Sequence, residues 1–227
     1  MSHDPTTTAP EALTATEARA LETKGSSADP IYRLAARVLA ESPGGTLLDV
    51  GCGTGNLWRY VSEQFDRYIG ADVVRYDGFP ETEQFHRVDM DTGRIPLDDG
   101  AADTVASVET IEHVENPRAF LRELVRLVRP GGRIVVTTPN QRSALSLLTL
   151  HVKGHFQAFS ERPGLYPAHI TALLEIDLLR IARECGLVDA RIRYTDSGRI
   201  PGTARHWPRP LKGRLFSDNL LLEARRP

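Results

Sequence analysis

The chain has 227 residues, 41% of them hydrophobic and 26% charged, which excludes a disordered or fibrous protein and predicts one globular core of generous size. With 28 Lys and Arg against 30 Asp and Glu, the net charge of −2 gives no global pull toward nucleic acid or an anionic membrane, so a polyanion would need a local patch. Cys52 and Cys185 are the only cysteines, too few for a disulfide scaffold and not spaced as a thiolate metal site, which predicts a reducing, cytoplasmic compartment.

Residues 1–29 are rich in Thr, Ala, Pro and acids without a basic region ahead of an apolar core. They read as a poorly ordered lead-in with a short helix near Glu11 to Leu21, not as an export signal. The folded domain is expected over 30–227. Ile31, Leu34, Ala35, Val38 and Leu39 recur at helical spacing before the breaker Ser42-Pro43-Gly44-Gly45. Thr46 to Val50 is a short apolar strand feeding Gly51-Cys52-Gly53-Thr54-Gly55, and Asn56 to Phe65 is predicted helical. Tyr68 to Asp72, Gln84 to Val88 and Asp103 to Val108 read as further strands. Asn116-Pro117 is a helix start, because Asn accepts from exposed amides and Pro suits the first helical position. Phe120, Leu121, Leu124, Leu127 and Val128 make that helix's buried stripe, Pro130-Gly131-Gly132 stops it, and Arg133 to Thr138 is the fifth strand.

From 141 to 170 no clean period survives, and the segment reads as an irregular cap. Its longest apolar run, Ala144 to Val152, is broken by Ser146, Thr149 and His151 and is well short of the ~18 to 20 residues of a membrane helix, so no membrane partner is expected. Leu178, Ile181, Ala182 and Cys185 restore a helix ending at Gly186, and strands Arg191 to Tyr194 and Asn219 to Ala224 flank a long loop, 195–218. Strands alternating with helices predict an α/β fold with a mostly parallel sheet covered on both faces.

A loop whose backbone must touch a ligand needs glycine, and Gly51, Gly53 and Gly55 supply it between a strand and a helix whose free amides suit an anionic group. Asp72 lies 21 positions after Gly51, at the end of the second strand, where a carboxylate can accept both hydroxyls of a ribose. An adenosine-bearing cofactor follows. The dinucleotide pattern wants glycine at its sixth position, where this chain has Asn56.

LLDVGCGTG at 47–55, YIGAD at 68–72, HRVDM at 86–90, IPLDDGAADTV at 95–105 and RPGGRIVVTTPN at 129–140 together resemble the ordered motifs of class I S-adenosylmethionine-dependent methyltransferases. The resemblance spans roughly 31–225 and includes the ubiquinone-biosynthesis branch. It implies a Rossmann-like, seven-stranded, mostly parallel sheet with an antiparallel last strand, and S-adenosyl-L-methionine as cofactor. It also implies that Gly51, Gly53 and Gly55 pass the methionine moiety and that Asp49 holds the loop or the amino group. By the same likeness Asp72 binds the ribose, Asp89 and Met90 contact the adenine, and Glu109 lies beside the reacting sulfonium. A nicotinamide-dependent oxidoreductase and a non-catalytic cofactor-binding scaffold are the other readings.

Glu109-Thr110-Ile111-Glu112-His113 puts two carboxylates and an imidazole in one turn beyond strand four. Three readings stand open: a capped loop that only sets the chain path, His113 as general base for an acceptor hydroxyl, or a divalent cation site. His169 is similar to the second histidine of small-RNA 3′-terminal 2′-O-methyltransferases, which hold a metal with two glutamates and two histidines, and the ubiquinone-pathway O-methyltransferases share the E-x-x-E-H turn. The site is assigned here to His113 as base with no metal. Arg199, Arg205, Arg209, Lys212 and Arg214, with Trp207 among them, suggest a clamp for an anionic small-molecule acceptor that meets Arg205 or Arg209. Overall neutrality argues against RNA.

Overall fold

In the computed structural model, which describes residues 17, 20, 21, 25–91, 94–160 and 169–227, the elements follow the order α1 (Asp29–Leu39), β1 (Thr46–Val50), α2 (Trp58–Val61), β2 (Arg67–Asp72), β3 (Gln84–Arg87), β4 (Ala102–Val108), α3 (Pro117–Leu127), β5 (Val128–Pro139), α4 (Ala144–Lys153), α5 (Glu175–Glu184), β6 (Val188–Tyr194) and β7 (Asn219–Arg225). The seven strands form one sheet in the order β3-β2-β1-β4-β5-β7-β6. β1 pairs in parallel with β2 and β4, as do β2 with β3 and β4 with β5. β7 inserts antiparallel between β5 and β6. The expected Rossmann-like sheet with its antiparallel last strand is therefore observed, and β3 and β6 form its two edges.

Alternation along the central strands sends successive side chains to opposite faces. On β1, Leu48 and Val50 join a core with Phe120, Leu121 and Leu124 of α3 and Leu178 and Ile181 of α5. Leu47 turns the other way, into a core with Ile31, Leu34 and Val38 of α1 and Val61 of α2. The predicted helix start is in place, since the Asn116 side chain accepts from the Ala119 N–H at 2.9 Å with Pro117 in the first turn.

Three elements differ from the sequence reading. The helix predicted from Asn56 to Phe65 contracts to Trp58–Val61, flanked by single turns such as Trp58 N–H to Gly55 O and Gln64 N–H to Val61 O. β5 begins at Val128 directly after α3 and runs through Gly131 and Gly132, because the Gly131 N–H finds the Arg226 carbonyl. The segment 141–170, read as irregular, contains the ten-residue α4, started by Ser143 and ended by left-handed Gly154. Its buried positions are Ser146 and Thr149, so the usual apolar stripe is absent from the inward face. The helix expected near Glu11 to Leu21 lies largely outside the described residues. Among those described, no helix is long and apolar enough to cross a membrane.

Candidate active site

In a sheet of this order the crevice lies beyond the carboxyl ends of the parallel strands, where the connections diverge. β1 delivers Gly51 there, β2 delivers Asp72, β4 delivers Glu109, and antiparallel β7 begins there with Asn219. The glycine loop is held from both sides. Gly51 N–H donates to Ala71 O at 2.7 Å, and Gly53 N–H donates to the Asp72 carboxylate at 2.8 Å. Gly53 has φ +52, and a Cβ there would overlap the Gly25 carbonyl oxygen. That close approach reflects the 25–27 segment crossing the loop, where Thr54 N–H donates to Gly25 O at 2.9 Å and the Asn56 side chain donates to Ser26 Oγ at 2.8 Å. Gly51, at φ +75, would drive a Cβ into Thr110, which ties the loop to the turn after β4. Gly55 is also left-handed, at φ +72.

Asp72 accepts from Gly53 N–H and, at 2.7 Å, from Val73 N–H. Burial pushes its carboxyl up to about 6 despite those donors. Asp49 is buried on β1, where Tyr68 OH donates to it at 2.7 Å. Burial raises it to about 7, against the lowering effect of Tyr68, and Asp72 adds to the rise. Its other oxygen has no hydrogen-bond partner. Asp89 caps the turn after β3 by accepting from Asp91 N–H at 2.9 Å, and Met90 packs half-buried on the core.

The acidic turn is built by strain and by two neighbouring threonines. Glu109 has φ +53, a conformation that non-glycine residues adopt at some cost. Its N–H donates to Thr137 Oγ1 at 2.9 Å, and its carboxylate accepts from Asn219 at 2.8 Å. Glu112 is fully buried; one oxygen accepts from Thr138 at 3.0 Å and the other has no partner. Burial, reinforced by Glu109, holds the Glu112 carboxyl well above the usual carboxylate range, and burial lifts Glu109 to about 7.

The Glu112 carbonyl accepts from Ile170 N–H at 2.9 Å and Thr171 N–H at 3.1 Å, and Thr171 Oγ1 donates to Val114 O at 3.1 Å. These bonds fasten His169 against the turn. His113 and His169 meet edge to face at 4.6 Å, and His169 Nε2 stands 3.9 Å from the unpartnered Glu112 oxygen. His169 Nδ1 lies 2.7 Å from the Ala158 carbonyl, which only accepts; the proton therefore sits on Nδ1 and leaves an open lone pair on Nε2. Burial, with His113 beside it, lowers the His169 pKa to about 4, so the ring is neutral at pH 7. Ligand atoms of Glu112, His113 and His169 all lie within 4.8 Å of one another.

A cavity of about 360 Å³ opens beside this cluster, lined by Glu109, His169, Ser143, Ser146, Arg199 and His206 among others. Arg205 and Arg209, proposed as the acceptor clamp, are exposed and do not line this cavity; Arg199 and His206 do. Trp207 packs edge-on against Phe216 at 5.2 Å. Thr137, Thr138 and Asn219 were missed as site residues. The signal available for the first two was the polar run Thr137-Thr138-Pro139-Asn140-Gln141 closing an apolar strand.

A family model described as a methyltransferase domain matches residues 22–188. The chain belongs to the class I S-adenosylmethionine-dependent methyltransferase family. The chain is 32% identical over 108 residues to a probable S-adenosylmethionine-dependent methyltransferase of Mycolicibacterium smegmatis, covering 46% of this chain and 42% of the relative. It is also 32% identical over 123 residues to a ubiquinone biosynthesis O-methyltransferase of Xanthomonas euvesicatoria, covering 48% and 49%. The chain spans about half the length of the curated relatives it matches. A solved S-adenosylmethionine-dependent methyltransferase from Archaeoglobus fulgidus shares the fold, with a TM-score of 0.64 over 90% of this chain and 97% of that one, at 19% identity. Membership in this family supports S-adenosylmethionine as the cofactor and sets the nicotinamide reading aside.

Proposed function

We propose that this methyltransferase transfers the methyl group of S-adenosylmethionine to a hydroxyl oxygen of a small, partly apolar acceptor held in the cavity beside Glu109 and His169. The observation that carries the reading is the Glu109–His113 turn, which joins the glycine loop through Thr110 and the cavity through Glu109 and His169. Such a turn can take up the hydroxyl proton beside the methyl donor. The name of the Xanthomonas relative, an O-methyltransferase, supports oxygen as the acceptor atom.

In this reading Gly51, Gly53 and Gly55 let the methionine moiety lie against the backbone, Asp72 accepts from the ribose hydroxyls, and Asp89 with Met90 receives the adenine. The sulfonium already activates the methyl, so catalysis is chiefly alignment of the two reactants. His113, which does not itself line the cavity but packs against His169 in its wall, takes the acceptor proton, adding about 10²- to 10⁴-fold. Arg199 and His206 in the cavity wall replace Arg205 and Arg209 as groups that would meet an anionic substituent. Buried Cys52 and half-buried Cys185, both free thiols, support the cytoplasmic reading.

One observation favours a second reading, a divalent cation. Glu112 presents a buried oxygen without a partner, His169 presents an open lone pair, and the gap between them is too long for a hydrogen bond and of the size an ion bridges. Glu112, His113 and His169 would hold it, and the cation would lower the pKa of the acceptor hydroxyl. Methyl-transfer assays on neutral, anionic and RNA acceptors, with and without chelator, separate these outcomes. With His113 as base, His113→Ala lowers turnover, preserves cofactor affinity, and chelator has no effect. With a cation, chelator and His169→Ala each abolish turnover. Full activity in His113→Ala, Glu112→Gln and His169→Ala would refute both.

A further inference from the structure

α4 is built with its polarity reversed. A helix on a globular protein turns its apolar stripe to the core, yet the inward positions here are Ser146, which Gln157 N–H reaches at 3.2 Å, and Thr149, which donates to Leu145 O and Gln157. Leu147, Leu148, Leu150 and Val152 face outward, 37 to 68% exposed. Beside the helix start lies the 197–217 loop, joined to it by Ala144 N–H to Leu215 O at 2.9 Å and by Asn140 to the carbonyls of Arg214 and Ser217. Two more exposed leucines, Leu211 and Leu215, stand on that loop at 45 and 47%. The loop is stitched by the Arg199–His206 bridge and by Trp207 N–H to Gly198 O, so its side chains stand on an ordered platform.

Charge on this face is one-sided. Residues 142–160 and the loop 195–218 hold seven Lys and Arg against two carboxylates, Asp196 and Asp218, leaving 21 cations against 28 carboxylates elsewhere in the chain. Arg199 and Arg214 pair with Asp218 and Glu175. Arg142, Lys153, Arg205, Arg209 and Lys212 are exposed, and the ion pairs among the described residues involve none of them. The overall neutrality that argued against an anionic partner is the sum of a basic face and an acidic remainder.

We propose that this face docks on an anionic phospholipid bilayer. Unpaired cations beside exposed leucines fit that partner: the cations meet lipid phosphates and the leucines enter the acyl boundary without spanning it. An RNA backbone would use the cations and leave the leucines in water. Arg199, His206, Ser143 and Ser146 of the same two elements line the cavity, so docking would bring the cavity alongside the lipid surface.

The test is sedimentation of the full chain with unilamellar vesicles, phosphatidylcholine alone or with about one third phosphatidylglycerol. Binding at least tenfold stronger to the anionic vesicles, and reduced in high salt, is expected. The Leu147→Ser/Leu148→Ser and Arg209→Glu/Lys212→Glu pairs should each weaken it tenfold or more, with S-adenosylhomocysteine affinity by calorimetry unchanged as the control for folding. Absence of vesicle binding, or binding indifferent to both pairs, overturns the proposal. So does tighter binding to RNA that ignores the leucine pair, or a solution dimer that the leucine pair breaks without any vesicle binding. Because the readout is vesicle binding and not turnover, either result leaves the methyl-transfer proposal where it stands.

Discussion

Replacing Glu112 by Gln tests the electrostatics of the acidic turn most directly. Glu112 is fully buried, accepts one hydrogen bond from Thr138, and has its second oxygen unpartnered. Its carboxyl titrates near 4.5 when solvated and well above that in the fold, first because of burial and then because of Glu109. Below about pH 4.5 the folded and unfolded chains both carry the proton, and this group gives no pH dependence. Above that, the unfolded chain releases the proton more readily than the native state, so wild-type stability declines as pH rises, by at most about 1.4 kcal/mol per unit. Between pH 5 and pH 7 the group costs at most about 3 kcal/mol. Gln keeps the shape and the Thr138 contact, offers an N–H toward His169, and lacks the titration. Its Tm advantage should be small at pH 5 and grow by up to roughly 6 to 12 °C at pH 7 for a chain of this size. Thermal unfolding of both proteins at pH 5, 6 and 7 in chelator measures the gap. A constant gap, or a variant less stable than the parent at pH 7, would refute the reasoning. If added divalent cation stabilises the parent alone and reverses the order, the cation reading of the cluster is the correct one.

In the proposed cofactor placement Asp72→Ala removes two charge-assisted hydrogen bonds to the ribose together with the anchor of Gly53, and should weaken S-adenosylhomocysteine binding by about 2 to 4 kcal/mol in calorimetry. Because the Asp72 carboxyl sits at about 6, parent affinity should fall as pH drops from 7.5 to 5, where the group protonates and loses an acceptor, and Asp72→Ala should show a flatter profile. Gly53→Ala meets both a left-handed φ and the Gly25 carbonyl; it should lower cofactor affinity at least tenfold, whereas Gly154→Ala, with open space around it, should bind cofactor like the parent. Glu223→Ala leaves buried Arg133 without its Glu223 counter-charge and leaves Arg191 and Arg193 to Glu41 alone, at a cost of about 3 to 5 kcal/mol in urea unfolding.

The strands and the first glycine loop were legible because each is a local signal: apolar runs bounded by glycine, and an acid at the right distance along β2. α4 was not, since the reading looks for an apolar stripe facing inward and ALSLLTLHVK turns its leucines out and its hydroxyls in. The Asn56 to Phe65 error has the opposite origin, a helical composition divided into turns around four regular residues. In the site, Glu109, Glu112, His113 and His169 could be named from the chain, but their partners could not. Thr137, Thr138 and Asn219 reach the turn from β5 and β7, 26 to 110 positions away, and only the sheet order brings them there. The same distance effect governs which loop cations reach the cavity, because nothing local distinguishes Arg199, in its wall, from Arg205, outside it, until the loop is folded.

The outer rim of the sheet bears on how the protein behaves at high concentration. Among the described residues β6 has one flank without a neighbour, and an open flank invites another chain to add a strand. Arg191 and Arg193 stand on that strand, tethered to Glu223 within the sheet and to Glu41 beyond it. An incoming strand would lay its own side chains beside this charged row, so that apolar residues on that face would meet guanidinium groups in place of an apolar surface. β3, at the opposite rim, is only four residues long. Growth of the sheet into fibrils is thus opposed at both ends, and changing Arg191 and Arg193 to Val would leave β6 an open apolar template.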